Sequence, residues 1–420
     1  MSESDRRCRL SLDGLNFFLA DVRDGLGPYL AIYLLTVQKW DEAAIGIVMS
    51  VAGIAAIVAQ TPAGALIDRT RYKKALIAAA AVAVTIASVG LPLVPSFWPV
   101  AMLQAVSGAA GAFFPPAIAA ITLGIVGPKA LARRIGRNEA FNHAGNATAA
   151  AIAAGAAFLF GPIAVFWLMA VMAVLSLGAT FWVPGARIDH DVARGLGEGG
   201  DASADHQASG LSVLLKCPPL LVFALSTTLF HFANAAMLPL VGQKLALADR
   251  NLGTTLVAVC IVAAQLVMVP VAIFVGHTAD RFGRKPIFLV GLAVLALRGF
   301  LYPVSDNMVW LVGVQLLDGV GAGIFGALFP LVVADLMQGT GRFNVAQGAV
   351  ATAQSIGAAL STAVAGIIVT KAGYSAAFVF LGCVAAFALA AAAWFLPETR
   401  SAAESGTKVR RGAPDLAAAK

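Results

Sequence analysis

The chain has 420 residues, of which 59% are hydrophobic and only 12% charged, with a mean hydropathy of +0.84. A typical soluble domain is about 25% charged, so a water-soluble globular protein is excluded and an integral membrane protein is indicated. The formal net charge of +7 does not point to nucleic acid, because the basic residues form no patch on a soluble face. The four cysteines, Cys8, Cys217, Cys260 and Cys383, have neither disulfide-framework nor zinc spacing.

In chain order, Arg6, Arg7 and Arg9 precede an apolar run with no small-residue cleavage site, which reads as an uncleaved first span near 12–36. Further runs of about 20 apolar residues lie near 43–66, 74–93, 97–126, 137–160 and 163–183. A second set follows near 218–241, 253–275, 286–304, 308–336, 344–370 and 374–396. The expected fold is therefore an all-α membrane protein, with twelve transmembrane helices in two pseudo-symmetric six-helix bundles. The divisions are an N-terminal bundle at 1–183, a cytoplasmic linker at 184–212, a C-terminal bundle at 213–400 and a cytoplasmic tail at 401–420. The linker, rich in Gly, Asp and Ala, reads as a flexible hinge. Its Asp189, His190, Asp191 and His206 read as solvated residues and not as a metal site; no metal and no cofactor are expected.

Lys and Arg accumulate in cytoplasmic loops. With both termini inside, Lys39, Lys244, Arg250 and Lys371 fall in outer loops and Arg23 and Arg298 inside spans, while the rest of the 29 basic residues fall in inner segments. The expectation is a multi-pass protein with cytoplasmic termini.

The halves repeat each other. GALIDRTRYKK starts at Gly64 and GHTADRFGRK at Gly276, each after the second span of its half, so that Asp68 pairs with Asp280. Gln104 and Gly108 match Gln315 and Gly319, Gly145 matches Gly357, and Pro184 matches Pro397 at nearly the same offset. A parallel repeat of this kind places a binding site near the bilayer midplane, between the halves. Glycine permits close helix approach, aspartate can meet a helix N-terminus, and arginine and lysine can hold anionic headgroups. Gly64, Asp68 and Arg69, with Gly276, Asp280, Arg281 and Arg284, are thus expected to form a breakable latch.

On these loop motifs the chain resembles the major facilitator superfamily, whose pattern is G-x-L-a-D-R-x-G-R-K. The second copy matches with Thr278 in place of Leu, and the first departs at Arg71 and Tyr72. The resemblance spans essentially the whole chain. It implies a secondary transporter of bacterial inner-membrane type working by alternating access, with the first and fourth helices of each half lining the cavity. Where drug antiporters of the family carry an Arg in the fourth helix this chain has Gln104, and their fifth-span G-x-x-x-G-P signature is absent.

Candidate pathway residues follow from charge and helical spacing. Asn16, Asp21, Asp24 and Gly27 share a broad face of the first span, with Arg23 at its edge. Charges at bilayer depth persist mainly where they face water or each other, so Asp24 is the leading candidate for a proton carrier, followed by Asp21. Thr227, His231 and Asn234 form a stripe in the seventh span, and Gln315 and Asp318 lie in the tenth, within possible reach of Arg298. Pro28, Pro115, Pro116, Pro239 and Pro330 free carbonyls in the expected lining spans. The stripes Asn138, Asn142, Asn146 and Gln347, Gln354, Ser361 read as interhelical hydrogen bonding.

The function these residues indicate is a monomeric, proton-coupled carrier of a small solute in a lipid bilayer. A multidrug or metabolite exporter of the drug:proton antiporter type is the alternative within the class. A transporter-shaped sensor or scaffold is the alternative outside it. No HExxH, GxSxG or phosphate-loop motif suggests an enzyme, and no nucleic-acid partner is expected.

Overall fold

The computed structural model describes residues 3–24, 26–161, 163–196, 211–248 and 253–400. Their regular elements are all helical, as hydrocarbon demands of an open chain, because a helix satisfies its backbone groups within one segment. Nine described helical stretches are long and apolar enough to cross a bilayer. Two of these are double. Phe114–Phe160 turns at Gly127 (φ 70°) and Phe343–Phe395 at Gly373 (φ 84°), conformations that cost little only for glycine. Counting both arms, and adding the first span with its two helices Glu3–Asp24 and Gly27–Thr36, gives the twelve expected crossings.

The boundary between the fourth and fifth spans differs from expectation. Residues 128–136 are helix and not loop, because Pro128 suits a first helical turn and starts the fifth span directly after Gly127. The linker also departs from a free hinge over its described part. Gly185–Arg187 and Val192–Arg194 are short 3-10 turns. Asp189 Oδ1 accepts from the amides of Asp191 and Val192, and Val192 and Ala193 are buried.

The apolar core falls into two parts. One runs from Leu12 to Ala193; the other is built mainly from Leu220 to Leu396, with Ala119, Leu123, Leu131, Ala132, Ile135 and Val192 joining it. The duplication holds at the level of single side chains. Buried Leu12, Leu15, Leu19, Val22, Leu26, Leu30 and Leu34 recur 211 residues later as buried Phe223, Ser226, Phe230, Ala233, Met237, Val241 and Leu245. The third span and its 3-10 turn, Lys73–Gly90 and Leu91–Leu93, recur at that offset as Arg284–Leu301 and Tyr302–Val304. Gly145 lies on the carbonyl of Phe17 and Gly357 on that of Thr228. Outward, Ile54, Val58, Trp98, Val174, Leu266 and Trp394 stay exposed, an apolar surface suited to lipid.

Candidate functional site

The first and seventh spans break within one residue of the same step, between Asp24 and Gly27 and between Asn234 and Met237. Beside the first break lies a cavity of about 320 Å³. Its walls are Arg23, Leu26 and Leu30 of the first span, Ser88 of the third, Gln104, Ser107 and Gly108 of the fourth, and Phe329 of the tenth. Gln60, Gln347 and Gly348 line it as well. Arg23 and Gln104, both singled out by sequence, therefore share one cavity. Asp21 is half-buried but is not among its lining residues. The side chains of Asp24, Gly27 and Pro28 lie outside the described residues. Pro115 and Pro116 line the cavity, and Pro239 lines a second recess with Gln243 and Thr362.

Beside the second break lies a buried polar network. Arg298, 1% exposed, reaches from the ninth span, and its Nη1 donates to Asn234 Oδ1 (2.6 Å) and to Asp318 Oδ1. Arg298 Nε donates to Tyr302 Oη (3.1 Å), Tyr302 in turn donates to Gln315 Oε1 (2.5 Å), and Gln315 Nε2 donates to Asp318 Oδ2 (3.1 Å). Asn234, Gln315 and Asp318 are thus gathered as one network, and the ion pair between Arg298 and Asp318 forms instead of the arginine turning to the membrane surface. His231 stands apart from both sites. It packs on Phe230 and Phe325 and bonds the carbonyl of Thr227 in its own helix.

The two loop motifs lie at the same end of the molecule, here the motif end. There the halves meet through glycines that pair by the duplication: Gly64 on the carbonyl of Asn344 and Gly276 against Gly136 and Ala132, Gly348 on the carbonyl of Gln60 and Gly136 on that of Ala272. A Cβ at any of the four would press on facing backbone. Hydrogen bonds from Gln60 to Ser355 (3.2 Å), between Thr61 and Thr352 (3.2 Å), and between His143 and Gln265 (2.7 Å) join the halves further in.

Asp68 crosses this interface. It is 5% exposed and accepts from the Asn344 amide (3.1 Å), Asn344 Nδ2 (2.8 Å) and the Val345 amide (2.9 Å). These belong to the first turn of the eleventh span, which starts at Phe343 and has unpaired amide donors there. Asn344 Nδ2 also donates to Ala193 O (3.0 Å) and Gly339 N to Gly195 O (2.6 Å), so the linker is bonded into the same seam. Asp280 remains in its own half, held by Arg284 Nη1 (2.7 Å), whose Nε binds Asp335 (2.9 Å). Arg69 and Arg281 are exposed, with Arg281 over the ring of Phe282.

One buried cluster escaped the sequence reading. Asp13 accepts from Arg134 Nη2 (2.8 Å) and from Arg137 Nε (2.9 Å) and Nη2 (2.7 Å), while Arg134 Nε donates to Asn138 Oδ1 and Asn138 Nδ2 to Thr122. Its only signal was the run RRIGRN, which reads as loop charge until the fifth span is known to begin at Pro128. Asn344 and Tyr302 were also missed, each lying at the edge of a span. Among the described residues no group of three or more His, Cys, Asp or Glu could hold a metal.

Comparison with known proteins agrees with this architecture. The Major Facilitator Superfamily profile matches residues 12–344 and 223–419. An uncharacterized MFS-type transporter of Mycobacterium tuberculosis strain H37Rv is 58% identical over 404 residues, 96% of each chain. The inner membrane transport protein YajR of Escherichia coli K12 is 26% identical over 81% of this chain and 72% of its own. The structure of the proton:xylose symporter XylE superposes with a TM-score of 0.70 at 15% identity, covering 94% of this chain and 96% of that one. The chain is an integral multi-pass membrane protein and belongs to the major facilitator superfamily of transporters.

Proposed function

We propose that this protein is a secondary active transporter that moves a small solute by alternating access and couples it to proton movement. The observation that carries the reading is the position of the cavity on the seal between the halves. Gln60 and Gly348 line the cavity and also form the contact that joins the second and eleventh spans. A solute in that cavity therefore touches the seal whose opening would release it. The division at 1–183 and 213–400 is supported by the two apolar cores, and each would move as a body. The positive charge of the motif end supports placing it in the cytoplasm, which makes the seam between the halves a cytoplasmic one. The carboxylates of the first span, Asp21 and Asp24, are the proposed proton carriers.

The test is a double variant, Gln60→Cys with Ser355→Cys, in proteoliposomes screened with labelled sugars, amino acids, organic acids and amphipathic drugs. Exchange of the responding solute should stop on oxidation and return on reduction. Exchange that continues in the cross-linked protein would overturn the reading, and ligand binding without flux of any solute would favour a sensor. Asp21→Asn and Asp24→Asn separate coupling from movement: loss of pH-gradient-driven uptake with exchange retained marks the carrier.

A further inference from the structure

The fifth and eighth spans meet across the halves at Gly136, which lies on the carbonyl of Ala272. Two helical turns further in, His143 Nδ1 bonds Gln265 Oε1 (2.7 Å). An amide oxygen only accepts, so Nδ1 carries the ring proton of His143 and Nε2 is left as a bare acceptor. His143 is 8% exposed, and its Nε2 is buried with no hydrogen-bond partner among the described groups. It stands 3.9 Å from Glu139 Oε2, one turn earlier on the same helix. That gap exceeds a hydrogen bond, so two acceptors face each other across it. A buried polar atom in this condition needs an explanation, and so does a carboxylate within a membrane span. The duplicate seam lacks this chemistry. At the offset that relates Gly136 to Gly348, the counterparts of Glu139, His143 and Gln265 are Ala351, Ser355 and Gly53. Ser355 bonds Gln60 instead (3.2 Å), a contact between neutral groups that does not titrate near pH 7.

From this geometry we infer that His143 and Glu139 form a proton-binding site on the seam between the fifth and eighth spans, which takes up one proton as the seam closes and gives it up as the seam opens. The proton comes from water and bonds to Nε2, so that the neutral ring becomes a cation paired with the Glu139 carboxylate; no other covalent bond changes. A movement of roughly 1 Å brings the new N–H within hydrogen-bond range of Glu139. The bond to Gln265 then has a charged donor, which makes it stronger than the neutral one. Proton binding and seam closure therefore favour each other.

The other charged groups on the surrounding spans have places of their own. The tenth span presents Gly326 to Glu139, and its Asp318 and Asp335 are held by Arg298 and Arg284. In the first span Asp13 is held by Arg134 and Arg137, and Asp21 and Arg23 follow further along, toward the break. The eighth adds Cys260, and at its motif end the exposed His277 and Asp280, which pairs with Arg284. Lys73 and Lys74 of the third bind carbonyls at the motif end. The fourth and sixth spans, and residues 343–370 of the eleventh, carry no acidic or basic side chain. The inference deepens the transporter reading and rests on it for the statement that the seam opens during turnover. Asp21 and Asp24 keep their proposed role as carriers, and the His143 site governs when the halves part.

The experiment follows the seam itself, with no solute added. The full chain in lipid nanodiscs carries spin labels at Lys129→Cys and His277→Cys, exposed positions at the motif ends of the fifth and eighth spans. Cys217 and Cys383 are replaced by Ser, and His190 by Gln so that the linker does not contribute. Between about pH 8 and about pH 5.5, the range in which histidine titrates, the ratio of short to long label distances should rise about fivefold, the scale that separates a charged from a neutral donor. His143→Gln, which has an amide to donate but takes no proton, should abolish the rise, and Glu139→Gln should weaken it. If His143→Gln does not purify as a folded protein, Gln265→Ala serves in its place, since it leaves the pair intact but unlinks it from the other half and should also abolish the rise. Distances in the parent that do not change with pH, a change of the opposite sign, or a rise that persists in these variants would overturn the inference. Acid closure in a protein that moves no solute would leave it standing and remove the transporter reading instead, while solute flux through a protein whose seam ignores pH would do the reverse.

Discussion

Asp68 and Asp280 occupy the same step of a duplicated loop, yet one is 5% exposed and bridges the two halves while the side chain of the other is 47% exposed and stays within its own. The difference lies in the helix each of them faces. Residues 344 and 345, opposite Asp68, are in the first turn of their helix and have amides free to be capped. The duplicate positions, Ala132 and Arg133, come after a helix that already began at Pro128, so their amides bond within it. With nothing to cap, Asp280 turns to Arg284, and Glu398 caps the ninth span in its place, accepting from the amides of Arg284 (2.8 Å) and Lys285 (3.1 Å). A loop motif thus becomes a latch only where the partner helix starts at the right residue.

The difference between the residues at the two breaks sets the largest expected effect. Asp318→Ala leaves Arg298 buried without its counter-charge, and breaking such a pair costs about 3–5 kcal/mol. Ser107→Ala, the duplicate position, should change stability by no more than about 0.5 kcal/mol. Denaturant unfolding in detergent compares the two. Arg298→Met combined with Asp318→Leu should recover most of the loss, since well-packed apolar residues often replace a buried pair without penalty. Equal effects at 318 and 107 would mean that the two breaks are not used differently.

A smaller effect separates the two aspartates. Asp68→Ala removes a helix cap, typically about 0.5–2 kcal/mol, so hydrogen exchange at Asn344 and Val345 should quicken by about 2- to 30-fold. Asp280→Ala removes a half-exposed ion pair, for which about 0–1 kcal/mol is usual, and exchange at Ala132 and Arg133 should stay as it is. Glu398→Ala should quicken exchange at Arg284 and Lys285 by an amount comparable to Asp68→Ala, but without altering transport turnover, because that cap does not cross between the halves. Matching turnover defects in Asp68→Ala and Asp280→Ala would restore a symmetric latch.

The spans and their duplication were legible because hydropathy over about 20 residues and paired motifs survive small errors of boundary. The asymmetry of the latch was not, since it depends on whether a helix begins at Pro128 or nine residues later, and the charges Lys129, Arg133, Arg134 and Arg137 disguised a helix as a loop. Arg23 was legible as a cavity residue from its depth and helical spacing, and Gln104 from the duplication and from its place in the family's fourth helix. The link between Arg298 and Asp318 was legible only as a matter of reach, because either the pair or a surface-seeking arginine satisfies the sequence. Tyr302, which completes that network, sits in a 3-10 turn beyond the end of its helix, where helical periodicity no longer locates a side chain.

The smallest expected effect concerns the linker, the one part of the seam without a duplicate. His190 lies beside the turn whose carbonyls at Ala193 and Gly195 bind the eleventh span and its preceding loop. Its pKa is lowered from the ordinary 6.5, first by burial and then by the cations Lys73 and Arg71, against the opposing pull of Asp189 and Asp191. Its Nδ1 is buried with no hydrogen-bond partner among the described groups, so a proton there would meet no acceptor. A histidine with a depressed pKa leaves the folded seam fully stable above the unfolded value and weakens it as pH falls from there through the lower folded value. Lowering the pH from about 7 to below about 6 should therefore loosen the linker, measured as faster exchange at Gly339, whose amide donates to Gly195. In His190→Gln, which cannot take a proton, that part of the acid response should disappear while exchange at neutral pH changes little. An acid response identical in the variant would assign it to other groups at the motif end.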